Sequence, residues 1–336
     1  MPHRDDVLML VCAVLGVGLL NVPGNIAFNA WLRARCHRLK PLPSLPYVSV
    51  LVPARNEEHQ IVRCVESLLA QDYPNVEVIA LNDDSEDATG ELLERLAAQS
   101  PRLRVLHNHT PVPPGVNGKS RACQLLASHA RGEWLLFVDA DTVHQPHAMR
   151  GGVLSALALQ VDLFGVVPHQ VLGTWGERLF VPAGFALIDN AISMWRLYAL
   201  QHTRLLNAAA IGQWLLVRRA AHIESGVHQA IQTAILDDVA LGRLVKSRGY
   251  RIALADGDWV SCRMYCSAGE VVRGFSKNAP AVLQDSIGLS VVFVLAFAGS
   301  PPAWLAVGLA VTNFAMVCCG SDNRSGLPRF TRSRSR

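Results

Sequence analysis

From Val7 to Leu32 the chain is almost wholly apolar and carries no formal charge, interrupted only by Asn21, Pro23, Asn25 and Asn29. A run of that length is enough to cross a bilayer, and it is too long for the core of a cleaved signal peptide. No small-residue cleavage site ends it before the basic cluster, so it reads as a retained anchor. Arg33, Arg35, Arg38 and Lys40 follow it, whereas Arg4 before it is offset by Asp5 and Asp6. The positive-inside rule then puts the remainder of the chain in the cytoplasm. A second apolar region, Ile287 to Cys319, is broken by Gly299, Ser300, Pro301 and Pro302, which predicts a hairpin of two membrane segments. The tail after it, with Arg324, Arg329, Arg332, Arg334 and Arg336, predicts a solvated, basic, disordered end. A third stretch, Leu179 to Leu200, mixes Phe180, Phe185, Trp195 and Tyr198 with Asp189, Asn190 and Arg196. It fits an amphipathic segment at the membrane interface and equally a buried core helix.

Between about Pro46 and Cys262 short apolar runs alternate with helical spacing, the signature of an α/β sheet. Strands are predicted at Tyr47–Val52, Val76–Leu81, Leu103–His107 and Trp134–Val138. Helices are predicted at Glu57–Ala70, Ala88–Ala98 and Lys119–Ala130. Two of the strands are followed by an acidic cluster: Asp83, Asp84 and Ser85 after the second, Asp139 and Asp141 after the fourth. Ligands of open α/β sheets bind outside the carboxyl ends of the strands, so these acids are expected to converge.

Composition adds limits. Of 336 residues, 50% are hydrophobic and 17% charged, which excludes a disordered chain, and the net charge of +4 is too mild for a nucleic-acid binder. A mean hydropathy of +0.23 agrees with membrane segments. Eight cysteines without paired zinc spacing imply neither a disulfide scaffold nor a metal knuckle; Cys262 and Cys266, the nearest pair, read as reduced thiols.

Each candidate chemical group has a structural reading beside the functional one. Asp139 and Asp141, two apart, point the same way if the backbone stays extended; they suit a hard divalent cation, or they cap the turn after the strand. Asp83, Asp84 and Ser85 read as a turn with a helix N-cap, or place a carboxylate toward a nucleotide base or ribose. Lys119, behind Gly115 and Gly118, is a loop cation within reach of a diphosphate, or an ordinary surface lysine. Asp237 and Asp238 open a helix with an apolar face through Val239, Leu241, Leu244 and Val245. The helix dipole alone favours acids there, and a carboxylate in that place can also serve as a general base.

The order of these signals carries more than any one of them. Pro53-Ala54-Arg55-Asn56-Glu57-Glu58 after a strand, then Asp83-Asp84-x-Ser, Gly118-Lys119, Asp139-x-Asp141 and an acidic pair opening a helix resembles family 2 glycosyltransferases. Ile211-Gly212-Gln213-Trp214, Arg263-Met264-Tyr265 and Gly274-Phe275-Ser276-Lys277-Asn278 resemble the membrane-anchored subgroup associated with carotenoid and hopanoid glycosylation.

The resemblance implies a GT-A, Rossmann-like nucleotide-diphospho-sugar transferase domain over residues 46–278. An N-terminal anchor and basic flank would occupy 1–40, C-terminal membrane segments 279–320, and a basic tail 321–336. Pro53, Ala54, Arg55, Glu57 and Asp84 would hold the uridine, Lys119 the diphosphate, and Asp139 with Asp141 the nucleotide and a magnesium or manganese ion. Asp238 would be the base that deprotonates the acceptor for an inverting, in-line attack. Gln213, Asp237, Arg273 and Lys277 would lie on the acceptor side. The donor would be a UDP-sugar, the acceptor lipid-like and of isoprenoid type, and the location a multi-pass cell-membrane protein facing the cytoplasm. Two features depart from the family. The acidic pair is Asp-Asp where many relatives have Glu-Asp, and Glu270-Val271-Val272-Arg273-Gly274 stands where processive relatives carry Gln-x-x-Arg-Trp. The second departure argues against a polysaccharide synthase. The remaining rivals are a catalytically silent membrane scaffold and a nucleotidyltransferase.

Overall fold

The computed structural model describes residues 4–39, 44–178, 181–182, 185, 193–201, 208–234, 237–265, 267, 269–271 and 273–274, with side chains from residue 21 onward. Lys277, the C-terminal apolar hairpin and the basic tail lie outside the described residues, as does much of the segment 179–200.

Four strands, β1 (Val48–Ala54), β2 (Val76–Asp83), β3 (Leu103–Asn108) and β4 (Trp134–Val138), pair in parallel in the order β3-β2-β1-β4. Their sequences are near-continuous apolar runs because helices cover both faces; every residue of β4 is buried. The sheet then continues through β7 (Trp214–Arg218), β6 (Leu163–Gln170), β8 (Ile252–Cys262) and the short β5 (Thr142–His144). Here the pairing is mixed: β4 with β7, β7 with β6 and β8 with β5 run antiparallel, whereas β6 and β8 run parallel. The joint between the halves is packed by Trp134 and Trp214, both fully buried, with the Arg218 guanidinium 4.7 Å from the Trp134 ring.

Helix α2 (Ile61–Leu69) buries Ile61, Cys64, Val65 and Leu68, the spacing of one helical face. It starts four residues later than the apolar spacing suggested. The chain turns at Asn56, whose φ is +58°, and the N–H groups of Glu57 and Glu58 are taken by Thr89 Oγ1 and Asp87 Oδ2 of the neighbouring loop. Helix α3 (Thr89–Ala97) is likewise not capped by Ser85: Asp87 Oδ1 accepts the Thr89 N–H at 2.9 Å. Helices α4 (Gly118–His129) and α5 (Ala148–Leu159) complete the layers beside the first half of the sheet.

Residues 4–37 form one long helix, α1. Its carboxyl half packs on α5 and on the short α6 (Met194–Ala199). Among the residues whose side chains are described, from 21 onward, no helix is long and apolar enough to cross a membrane. Beyond β7 follow α7 (Arg219–Ser225), α8 (Val227–Ala230) and α9 (Asp237–Ser247).

Candidate active site

The carboxyl ends of β1 and β4 open on a pocket of about 350 Å³, counting its solvent-open mouth. Pro53, Lys119, Asp139, Gly212, Asp237 and Asp238 line it, joined by the apolar Phe137, Leu215, Ile231 and Leu241. Three separate elements, the start of α4, the end of β4 and the start of α9, thus bring their charged groups together at the place where an open α/β sheet offers a crevice.

Lys119 is not on a flexible loop. It sits in the first turn of α4, which Asn117 caps by accepting the Ser120 N–H at 3.1 Å. Its Nζ lies 2.7 Å from Asp139 Oδ1. Burial works against the lysine cation, but Asp139, Asp238 and Asp237 outweigh it and hold the amine protonated well above the ordinary lysine range.

Asp139 and Asp141 do not stay in extended geometry. The chain turns between them and β5, with the Thr142 N–H on Asp139 O at 3.2 Å, yet both carboxylates act on the same neighbour. That neighbour is Glu57, whose carboxyl is pushed up to about 7 by burial first and then by Asp141 and Asp139. Asp141 is raised too, by burial and by Asp139. One of its oxygens, Oδ2, accepts the Cys262 thiol at 3.3 Å, and Cys262 in turn receives the Gln213 amide at 3.0 Å. The other oxygen, Oδ1, is enclosed and meets no hydrogen-bond donor. A buried acceptor without a donor, amid carboxylates that raise one another, is the environment that a hard cation relieves. Among the described residues no three of His, Cys, Asp and Glu gather closely enough to hold a metal by themselves.

Asp238 opens α9 facing the same pocket. Its Oδ2 accepts the Gly212 N–H at 3.0 Å, and its own N–H is held by Asp237 Oδ1 at 3.1 Å. Burial pushes the Asp238 carboxyl up to about 6, with Lys119 opposing and Asp237 adding to the rise. Gly212 is required by this contact: a Cβ there would stand 2.6 Å from Asp238 Oδ1. Behind the pocket His228 and His222 share a hydrogen bond of 2.8 Å against Phe137, and burial pushes both well down, so both are neutral.

The remaining expected residues are more dispersed. Ala54 is buried at the end of β1 and Arg55 is exposed just beyond it. Asp84, with φ +58°, lies at the end of β2, half-exposed and 3.7 Å from His109. Gln213 is buried, and its carbonyl accepts the Asp139 N–H at 3.4 Å. Arg273 is exposed and does not line the pocket. Sequence reasoning missed Cys262 as a partner of Asp141.

A mixed α/β sheet with a crossover crevice lined by acids and one lysine is the architecture of transferases that use nucleoside-diphosphate sugars. The mannosyltransferase of Pyrobaculum calidifontis, solved in complex with GDP-Man and Mn2+, shares this fold with a TM-score of 0.53 at 16% identity, over 93% of this chain and 91% of that one. The model of glycosyl transferase family 2 matches residues 49–222, and the chain belongs to that family. It is similar to the 4,4'-diaponeurosporenoate glycosyltransferase of Staphylococcus haemolyticus, at 26% identity over 267 residues covering 78% of this chain and 68% of that protein. The enzyme of the same name from Staphylococcus aureus strain MRSA252 is 27% identical over 268 residues, 76% of this chain and 67% of its own length. The chain is thus a family 2 glycosyltransferase with a GT-A-like fold.

Proposed function

We propose that this glycosyltransferase is anchored in the cell membrane with its catalytic domain in the cytoplasm. It transfers one sugar, with inversion, from a nucleoside-diphosphate sugar, a UDP-sugar first, to a lipid-like hydroxyl or carboxyl of isoprenoid type. The observation that carries the reading is the placing of Asp238, fixed by the Gly212 N–H, in one pocket with the Lys119–Asp139 pair. The similar staphylococcal enzymes, named for a carotenoid acid, support the acceptor class. The anchor rests on the apolar run 7–32, and the cytoplasmic side on the basic flank after it.

In this reading Pro53, Ala54, Arg55, Glu57 and Asp84, at the ends of β1 and β2, hold the nucleoside, and Lys119 the diphosphate. The ionised Asp238 carboxylate takes the proton from the acceptor hydroxyl. The acceptor oxygen then bonds to the anomeric carbon on the face opposite the diphosphate, the bond from that carbon to the diphosphate oxygen breaks, and the nucleoside diphosphate departs. Asp139 and Asp141, whose Oδ1 has no donor, fit a magnesium or manganese ion, which supplies positive charge where the leaving diphosphate develops negative charge. Lys119, held protonated beside Asp139, contributes charge of the same sign.

Release of nucleoside diphosphate by the detergent-solubilised full chain, from a panel of UDP- and GDP-sugars with and without manganese or magnesium, tests this reading beside Asp238→Asn. Expected is metal-dependent release from one donor, with nucleotide binding kept and turnover reduced by about 10²–10⁴ in the variant. A carboxylate acceptor arrives already ionised and needs no base, so a much smaller loss would assign a carboxylate in place of the hydroxyl. Equal turnover of variant and wild type on a hydroxyl acceptor would overturn the role of Asp238. Absence of release from every donor, with membrane lipid extract present, would overturn the reading as a whole.

A further inference from the structure

The carboxyl half of α1 is amphipathic the wrong way round for a helix packed on a soluble domain. Asn21, Asn25 and Asn29, spaced one turn apart, are all buried against the protein. Asn25 Oδ1 accepts the Ser193 hydroxyl at 3.2 Å and the Trp195 N–H at 3.3 Å. Asn29 grips Asp256 of β8 twice, taking its N–H at 3.0 Å and donating to its Oδ2 at 3.0 Å. On the opposite face every exposed residue between 22 and 31 is apolar: Val22, Pro23, Ile26, Ala27, Ala30 and Trp31. Ile26 is 64% exposed and Val22 55%. At Arg33 the outer face changes abruptly to cations, with Arg35 5.4 Å from the Trp31 ring.

We propose that the outer face of α1 from Val22 to Trp31 lies in the acyl region of the bilayer, so that the catalytic domain is seated in the leaflet and is not suspended below it. The inference rests on the membrane-anchored reading and adds depth and orientation to it. Length supports it. Asn21 is already buried against the domain, and only 14 apolar residues, 7–20, precede it in the sequence. At 1.5 Å per residue these reach about 21 Å, short of the ~30 Å of a hydrocarbon core. The exposed apolar face of the next ten residues supplies the difference. Trp31 then falls at headgroup level, where tryptophan is favoured, and Arg33 and Arg35 meet anionic headgroups. The asparagines act as a polar ladder that holds the helix to the domain in a layer where apolar contact alone gives little association. The close approach of Gly24 to Trp195, 2.4 Å from a would-be Cβ to the indole nitrogen, seats α6 beside the same face.

The test places the photocrosslinker benzoylphenylalanine at Val22 or Ile26 in the full chain. Ile223, 62% exposed on α7 at another surface, is the control. Proteins are reconstituted in vesicles of phosphatidylcholine and phosphatidylglycerol carrying radiolabelled phosphatidylcholine, floated, and irradiated. Lipid adducts several-fold above the control at both positions are expected. Protein that floats with the vesicles but gives control-level adducts would overturn the inference while leaving the anchor standing. Crosslinks to residues 287–319 or to a second copy would also overturn it, assigning the face to a protein partner. Failure to float would overturn both it and the anchor. Sugar transfer is not read in this experiment, so its outcome is independent of the donor and acceptor assignments.

Discussion

Asp238 can serve as a base only while ionised, and its surroundings set the pH at which that holds. Burial raises its carboxyl to about 6 in spite of Lys119. Below that value the ionised fraction falls tenfold per unit, so kcat/KM is expected to show an acid limb near pH 6 with unit slope. Glu57, raised to about 7, offers a competing origin for such a limb. Asp237→Asn separates the two. Asp237 raises Asp238 but is not among the causes acting on Glu57, so the variant is expected to move the limb to lower pH. A limb that stays in place would remove Asp238 as its source. Gly212→Ala probes the same carboxylate sterically, because its Cβ would press on Asp238 Oδ1 at 2.6 Å. Donor KM is expected to stay near wild type while kcat falls by about 10–100-fold, the cost of misplacing one reacting group. A variant with unchanged kcat would show that the carboxylate position is not critical.

At the scale of elements, Asp238 is only as well placed as the start of α9. That helix docks where Gly242 meets the backbone of Ala209 and Ala210, and the Ala210 N–H is held by Asp238 O at 3.0 Å. Helix propensity alone would make Gly242→Ala stabilising by about 1 kcal/mol. The added Cβ would stand 2.5 Å from a backbone carbonyl carbon, which cannot swing aside as a side chain can, so sterics win. Unfolding in denaturant is expected to show a loss of about 1–3 kcal/mol, together with reduced turnover; an unchanged midpoint would refute the packing argument. These contacts also mark how far the sequence could be understood unaided. The run Trp134–Val138 and the acidic start of α9 at Asp237 were legible because each depends on local pattern: a short apolar run before a turn, and acids in a first turn. The half of the sheet made by β6, β7 and β8 was not. β7 and the first halves of β6 and β8 are buried on both faces and lack alternation, and their pairing joins residues far apart, as Phe164 with Ala253. For the same reason the bond from Cys262 to Asp141, across 121 positions, left no trace in spacing. Asn21, Asn25 and Asn29 stood out as interruptions of an apolar run, but nothing in the run itself said that they faced protein.

Over the whole molecule, buried titratable groups of two kinds pull stability in opposite directions with pH. Glu57 and Asp238 have raised carboxyls, so the native state holds protons that the unfolded chain has released, and they favour folding as pH falls. His144 does the reverse. Its ring is buried between Ser67 Oγ at 3.1 Å and Thr142 Oγ1 at 3.4 Å, and burial pushes it down to about 3. Between the ordinary histidine value of 6.5 and that low value the unfolded chain binds a proton that the native state refuses. The His144 contribution is therefore complete above pH 6.5 and is lost progressively below it, at about 1.4 kcal/mol per unit. Because the acids oppose this, wild-type stability alone does not isolate it; the difference from His144→Gln does, since glutamine keeps a polar partner for Ser67 and does not titrate. Unfolding of both proteins in one detergent is expected to show a constant difference from pH 8 to 6.5. From there to pH 5 the wild type should lose about 2 kcal/mol relative to the variant. A difference that stays flat across that interval would mean that His144 is protonated in the folded protein, and that the joint between α2 and β5 admits water.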